Sequence, residues 1–187
     1  VGVSRGGTLE IYTKSPNKSL TIMQTQPFGL VKVGFNGRAG WAQTVKGIRL
    51  LKGQEFVALQ RDSDFYNPVT LKSIYPKIKL LGTSKIGYRE VYVIELEPAA
   101  NSAEKLYLDA TTYLPVRANA VRSIAGQQIV PIEIYFDDWK EVDGIKLPFS
   151  LTQSLPGLTL GITLKEIKHN TTLDDSLFES PTNLKLK

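Results

Sequence analysis

The sequence contains no cysteine and only one histidine among its 187 residues. The absence of cysteine excludes disulfide scaffolds, thiolate zinc sites, cysteine nucleophiles and lipid-modified cysteines within these residues. A zinc site needs three or four ligands, and His169 alone does not supply them. No G-x-S-x-G motif provides a serine nucleophile for this histidine to activate. We therefore predict a protein that is not an enzyme and has no catalytic residue, metal site or cofactor.

Long hydrophobic runs and blocks of like charge are also absent. No stretch approaches the roughly 18 apolar residues of a membrane span. The net charge of +5 comes from scattered basic residues, such as Lys14, Lys32 and Lys46, and not from a phosphate-binding stripe. We therefore predict neither a membrane span nor nucleic-acid binding. The chain begins at Val1 without a signal-peptide pattern, so a processed or truncated product is expected.

Acidic residues occur in pairs, which raises the question of acid–base chemistry. Such chemistry needs a neighbour that raises the pKa of one carboxyl group, and no such neighbour is evident in the sequence. Solvent-facing positions are therefore predicted for Glu95/Glu97, Asp137/Asp138 and Asp174/Asp175. The last pair also resembles the acidic first turn of a short helix.

The sequence does contain a regular succession of short segments, separated by turns, in which apolar and polar residues alternate. Asn36-Gly37 and Asp143-Gly144 are the most specific turns, because these residue types tolerate the positive φ that a two-residue hairpin requires. Successive hairpins without intervening helices predict an antiparallel sheet that buries one face. The predicted strands are residues 8–14, 19–26, 30–35, 38–45, 77–86, 90–97, 104–109, 114–122, 129–139, 145–153 and 158–169.

This strand-like alternation is interrupted between residues 50 and 75. Phe56 and Leu59 have helical spacing, and Asn67-Pro68 is typical of a helix cap followed by proline at the first helical position. Short helices inserted in a meander are expected to pack against its apolar face. The predicted fold is mainly β, an unclosed antiparallel half-barrel of about 10–12 strands with a short helical lid on its concave face.

A curved sheet with a lid allows two interpretations, which the sequence leaves open. The two layers either enclose an apolar cavity or form a solid core. Trp41 and Trp139 are expected to be mostly buried on strands. The residues predicted to line a cavity are Leu9, Ile11, Leu20, Ile22, Trp41, Phe56, Leu59, Phe65, Tyr92 and Ile94.

Several short motifs resemble the lipoprotein-localisation (LolA/LolB-like) superfamily. They include a strand that ends in a Pro-Asn turn, an N-G-x-x-x-W hairpin, and segments of the forms D-x-x-T-x-L-P-x-R, Y-x-x-x-W-x-x-V-D-G-x-x-L-P and F-x-x-P. Each motif is short, but together they are spread over nearly the whole chain. They occupy residues 7–18, 36–41, 106–117, 135–148 and 178–181.

The resemblance implies one LolA-like domain over residues 1–187, without the family's usual first helix, with a helical lid at about residues 50–75. It also implies a periplasmic or outer-membrane-associated protein. The carriers of this superfamily have an arginine immediately before the Pro-Asn turn, where this chain has Ser15.

Two functions are compatible with the resemblance. The first is a non-enzymatic envelope protein that binds an acyl chain, a lipoprotein or another apolar ligand between sheet and lid. The alternative is an accessory or interaction domain of a larger envelope protein, with a core filled by its own side chains and no ligand. The expected partners are accordingly a lipid or lipoprotein acyl chain, or an envelope protein.

Overall fold

The computed structural model describes residues 6–26, 29–66, 71–98, 103–124 and 128–181. Two helices, α1 (Gly53–Asp62) and α2 (Leu71–Ile74), precede strand β6, and a 3-10 helix (Asp175–Phe178) follows the last strand. The described strands are β1 Gly7–Lys14, β2 Lys18–Thr25, β3 Gly29–Phe35, β4 Gly40–Thr44, β5 Gly47–Leu50, β6 Lys77–Ile86, β7 Arg89–Glu97, β8 Glu104–Asp109, β9 Pro115–Ile124, β10 Gln128–Val142, β11 Ile145–Leu155 and β12 Leu158–Thr163.

The strands form two antiparallel sheets, one with five strands in the order β1 to β5 and one with seven in the order β12 to β6. Neither sheet closes on itself, so the predicted mainly β, unclosed antiparallel fold is confirmed. The expectation of one continuous sheet is wrong. Strands joined by short hairpin turns pair with one another in the same sheet. The connection between β5 and β6 is longer and helical, and these two strands belong to different sheets.

Two details of the sequence prediction need correction, and a third is not tested. Strand β5 was missed, because it is only four residues long and follows β4 through a two-residue turn. The last strand ends at Thr163, six residues earlier than expected. The predicted cap at Asn67-Pro68 lies outside the described residues.

The described chain divides into two compact units. The first comprises Val1–Thr70 with Thr172–Lys187, and the second comprises Leu71–Thr171. The five-stranded sheet, α1 and the C-terminal 3-10 helix therefore belong to one unit, and α2 and the seven-stranded sheet to the other.

The register of the five-stranded sheet assigns every side chain to one of two faces. Tyr12 pairs with Leu20, which pairs with Gly34, and Gly34 pairs with Trp41. Residues paired across antiparallel strands point to the same face, and successive residues alternate. We call the face that carries Leu20 and Trp41 the C-terminal face, because the 3-10 helix packs on it. The opposite face carries Phe35, which contacts α1, and we call it the α1 face.

The C-terminal face contains the core of the first unit. Trp41 is 2% exposed and packs with Leu20 and Phe178. Its ring lies over Gly34, where a Cβ atom would come within 2.5 Å of the indole. Trp41 Nε1 donates a hydrogen bond of 2.9 Å to the carbonyl oxygen of Phe178. The C-terminal segment is thus held by both apolar packing and a buried hydrogen bond.

The seven-stranded sheet also has one apolar and one polar face. Ile94, Leu106 and Ala118 lie in one cross-strand row, and Ala120 and Ile132 belong to a buried cluster on the same face. The next row, on the polar face, includes Glu95, Lys105, Asn119 and Glu133. On β10, Trp139 is half-buried and therefore less buried than Trp41.

Candidate functional site

The α1 face of the five-stranded sheet is free of charge across strands β1 to β4. Its side chains alternate with those of the C-terminal face, so lysines such as Lys14, Lys18 and Lys32 all fall on the other side. The non-glycine residues on the α1 face are Leu9, Ile11, Thr13, Ser19, Thr21, Met23, Thr25, Val31, Val33, Phe35, Ala42 and Thr44. On the α1 face, therefore, these four strands present only apolar side chains and small side chains with hydroxyl groups.

The first charged residue on this face is Arg49, at the edge strand β5. Its guanidinium group donates two hydrogen bonds, of 2.7 and 2.9 Å, to the carboxylate of Glu55 on α1. These hydrogen bonds lower the pKa of Glu55 and raise the pKa of Arg49. The pair neutralises its own charge and ties the beginning of α1 to the edge of the sheet.

Helix α1 packs against one end of the α1 face. The Phe56 ring meets the Phe35 ring edge-on at 5.9 Å between centroids. Leu59 lies above Gly40, where a Cβ atom would come within 2.9 Å of Leu59 Cδ2. A glycine at this position therefore lets the helix approach the strand closely.

The end of α1 is held by hydrogen bonds to the β1–β2 hairpin. Ser63 is buried, and its hydroxyl group lies 2.6 Å from that of Ser19. The Phe65 amide donates to the carbonyl oxygen of Pro16 at 3.0 Å. The Tyr66 hydroxyl lies 2.9 Å from that of Ser15, the residue at the carriers' arginine position. A neutral hydroxyl pair thus joins the hairpin to the segment after α1.

The other end of the α1 face is only partly covered. Leu9, Met23, Val31 and Val33 are half-buried, and Ile11 is 56% exposed. They lie in the rows next to the one that contacts α1, which contains Ser19, Phe35 and Gly40. We call these five residues, Leu9, Ile11, Met23, Val31 and Val33, the apolar patch. An uncharged apolar group can lie on this patch without leaving an ion unpaired.

The structure separates the predicted cavity residues into three groups. Leu9 and Ile11 lie on the α1 face, where Phe56 and Leu59 also pack. Phe65 follows α1, is half-exposed and contacts Tyr66 edge-on. The remaining residues lie elsewhere: Leu20, Ile22 and Trp41 on the C-terminal face, and Tyr92 and Ile94 on the apolar face of the other sheet.

The expectation that Leu20 and Ile22 share a face with Leu9 and Ile11 is therefore wrong. The three-residue loop 15–17 places Lys14 opposite Lys18 and hence Tyr12 opposite Leu20. A shift of one residue in register moves a whole strand's side chains to the other face. The length of this loop was a signal that could have identified Met23 as the partner of Leu9. Met23, Val31 and Val33 were not among the residues predicted to line a cavity. Ligand binding by any of these residues stays a prediction.

The residues considered for catalysis belong to other elements of the fold. His169 Nδ1 is 3.0 Å from a carboxylate oxygen of Asp143, whose side chain is 69% exposed. Asp174 caps the 3-10 helix by accepting a hydrogen bond from the Ser176 amide, which confirms the helical interpretation of the Asp174-Asp175 pair. Within the described ranges, no group of three or more histidine, aspartate or glutamate side chains could hold a metal ion. No helix in that part of the chain is long and apolar enough to cross a membrane.

Comparison with known proteins finds similarity in fold. No protein-family model matches the sequence, and no curated protein matches it significantly. A DUF1329 family protein from Desulfovibrio piger is 15% identical, with a TM-score of 0.58 over 91% of this chain and 79% of that one. A LolA superfamily protein from Nitrosomonas europaea is 14% identical, with a TM-score of 0.57 over 93% and 81% of the two chains.

A third solved structure, a domain named for outer membrane lipoprotein sorting, comes from Vibrio parahaemolyticus. It is 12% identical, with a TM-score of 0.57 over 93% of this chain and 81% of that one. At such low identities, the similarity concerns the fold alone. The resemblance to the LolA/LolB-like superfamily is thereby confirmed at the level of the fold: the chain has a LolA-like fold.

Proposed function

We propose that this protein is a non-enzymatic component of the bacterial cell envelope that binds an acyl chain, a lipoprotein or another apolar ligand on the α1 face. The observation that carries the proposal is the absence of charge on the α1 face across β1 to β4, with the partly covered apolar patch beside α1. Apolar binding sites in proteins are typically lined in this way, with few polar groups.

The energetics of such a surface favour a flexible hydrocarbon. Each buried methylene group contributes about 0.8 kcal/mol, so a partly bound chain reaches useful and reversible affinity. The hydroxyl groups of Thr21 and Thr25 introduce no charge that would oppose this burial. Phe56 and Leu59 on α1 supply an apolar side opposite the sheet. Displacing the helix slightly would extend the apolar patch toward Phe35.

The envelope assignment is supported by the names of the similar structures. One is a LolA superfamily protein, and another is a domain named for outer membrane lipoprotein sorting. A periplasmic or outer-membrane-associated location, with a lipid or lipoprotein as partner, is therefore part of the proposal.

The test is lipid extraction and mass spectrometry of protein purified without detergent, followed by titration with a fluorescent fatty acid. We expect acyl lipids to co-purify with the protein. Replacing Ile11 with glutamate should weaken fatty-acid binding by about tenfold or more, because a charge beside the hydrocarbon must be desolvated. Ile11 is 56% exposed, so the variant is expected to fold.

Ile145→Glu is the matched control, since this isoleucine is 53% exposed and lies on the other sheet. It should bind the fatty acid like the unmodified protein. Absence of both co-purified lipid and fatty-acid binding would overturn the proposal, as would equal losses in the two variants.

The alternative function is an accessory domain whose interior is filled by its own side chains. Direct packing of Phe56 on Phe35, and of Leu59 over Gly40, favours this alternative at the end of the face covered by α1. Retention of an envelope protein partner in a pull-down, without any bound lipid, would support it.

A further inference from the structure

Strand β6 and helix α2 form a surface whose composition differs from that of the rest of the chain. Between Leu71 and Arg89 the sequence has five basic residues and no acidic residue. The same segment holds several exposed large apolar side chains. Leu80 is 60% exposed, and Leu71, Ile78 and Leu81 are exposed as well. We call α2 and β6 together the basic edge.

Three lysines of the basic edge, Lys72, Lys79 and Lys85, are exposed and have no ion-pair partner among the described residues. Glu95 and Glu90 lie opposite Lys79 and Lys85 in the register, yet no carboxylate oxygen of a described residue lies within 4 Å of either ammonium group. Lys77 does form such a pair, with Glu97 at 3.0 Å. The edge therefore presents three lysines without a direct ion pair beside exposed hydrocarbon.

The position of β6 places these lysines at an edge of the seven-stranded sheet. Among the described residues, strand β6 is the last strand of this sheet and pairs with β7. Ile78 and Leu80 point to one face and Lys79 to the other, so both kinds of side chain flank the edge. The start of the strand is held in place by Tyr75, whose buried hydroxyl group donates a 2.8 Å hydrogen bond to Glu104.

We infer that the basic edge docks on an anionic lipid surface. Lysines next to exposed apolar side chains are typical of protein segments that lie in the membrane interface, where anionic headgroups attract the lysines and the acyl boundary accepts the apolar groups. The complementarity of charge specifies the occupant, because a zwitterionic or apolar surface offers the lysines no net negative charge.

A partner protein that adds a strand to β6 fits the structure less well. The register shifts between Leu80 and Gly82, and Gly82 has a φ of +131°. A bulge of this kind interrupts the regular series of backbone donors and acceptors that an added strand would need, and lysines on an edge oppose strand addition. A fluid lipid surface requires no such register.

The test is flotation of the full chain with vesicles of phosphatidylcholine, with and without phosphatidylglycerol. We expect binding only to the anionic vesicles, and weaker binding as salt is raised. The variant K72Q/K79Q/K85Q should bind about tenfold less or weaker still. Leu80→Asn should also weaken binding, and because this leucine is exposed, the variant is expected to fold.

The matched control is K46Q/K146Q/K165Q, which removes the same charge at exposed lysines outside the basic edge. It should retain vesicle binding. Equal loss in the two triple variants would overturn the inference in favour of a general charge effect. Equal binding to both kinds of vesicle would also overturn it.

Strong binding to soluble polyglutamate, unaffected by Leu80→Asn, would overturn the inference in favour of an acidic protein partner. The inference is independent of the proposed ligand site, because these variants leave the α1 face unchanged. Fatty-acid binding by K72Q/K79Q/K85Q should therefore equal that of the unmodified protein.

Discussion

At the scale of single residues, Trp41 has the most demanding environment in the first unit. Its indole ring needs the space left by Gly34, the apolar contact of Leu20 and the carbonyl group of Phe178. Trp139 makes a looser contact, with its ring tilted against Phe136 at 6.5 Å. The two tryptophans therefore differ in their contribution to stability, although both lie on strands.

We expect Trp41→Ala to lower the free energy of unfolding by about 3–5 kcal/mol, as is usual when a large buried aromatic side chain is removed. Trp139→Ala should cost clearly less, since that side chain is only half-buried. Urea denaturation followed by circular dichroism measures both effects. An equal cost for the two variants would contradict the difference in burial.

Asp175 is the most perturbed acid of the C-terminal segment. Hydrogen bonds from Lys14 and Lys18, at 2.8 and 2.7 Å, lower its pKa to about 2. A carboxyl group whose pKa is lower in the folded state stabilises the fold above its unfolded pKa, and this contribution is lost as pH falls through the folded pKa. The ionised form of Asp175 therefore helps to hold the 3-10 helix near neutral pH.

The difference in unfolding free energy between the unmodified protein and Asp175→Asn should be constant near neutral pH. It should shrink as pH falls from about 4 toward 2, because both pKa values of the carboxyl group lie in this interval. High salt should reduce it, since the side chain is 62% exposed. Glu141→Gln is the control, because Glu141 is exposed and has no ion pair within the described residues. A difference that grows at low pH would contradict the assigned role.

At the scale of elements, α1 is attached mainly at its two ends. Arg49 binds Glu55 near the beginning, and Ser19 binds Ser63 immediately after the end. Between them, Phe56 and Leu59 supply the apolar contact with the sheet. None of the helix residues is fully buried, so α1 is expected to open more easily than the strands beneath it.

Phe56→Ala should increase amide hydrogen exchange in α1 while leaving exchange in β3 nearly unchanged, because the helix loses the ring contact with Phe35. Hydrogen-exchange mass spectrometry of the purified protein measures both segments. Val57→Ala is the control on the same helix, since Val57 is 51% exposed. If the Val57 variant opened α1 as much as the Phe56 variant, the ring contact would not be what holds the helix.

At the scale of the whole molecule, the first unit is discontinuous in sequence. It takes its sheet from the beginning of the chain and part of its core from the end. Phe178 is fully buried there, and Glu179 accepts a hydrogen bond from Asn36 at 2.8 Å. The core on the C-terminal face of the five-stranded sheet is therefore complete only once the segment that contains Phe178 is in place.

Truncation after Thr171 should increase hydrogen exchange in β1 to β5 far more than in β6 to β12, because Phe178, Leu173 and Leu177 pack on the first sheet. A second truncation, after Pro181, retains Phe178 and should behave like the full chain. Equal effects on the two sheets in the shorter protein would refute the idea that the C-terminal segment stabilises one of them selectively.

Local features of the sequence were sufficient to predict the strands and the helical interruption. Alternation of apolar residues and turns such as Asn36-Gly37 act between near neighbours, so ten of the eleven predicted strands lie within a few residues of the observed ones. Strand β5 was not predicted, because the alternation of apolar and polar residues over only four positions does not distinguish a strand from a loop. The helical spacing of Phe56 and Leu59 likewise identified the side of α1 that contacts the sheet.

The tertiary structure alone decided which side chains share a face and where the ladder of strands ends. Leu9 and Leu20 each lie in a segment where apolar and polar residues alternate, but the pairing of β1 with β2 places them on opposite faces of one sheet. The sequence analysis did not pair Phe178 with Trp41, because a contact across 137 positions has no local signature. Faces, sheet boundaries and long-range packing depend on register and on the return of distant segments, and these are set by cooperative burial and not by any single stretch of the chain.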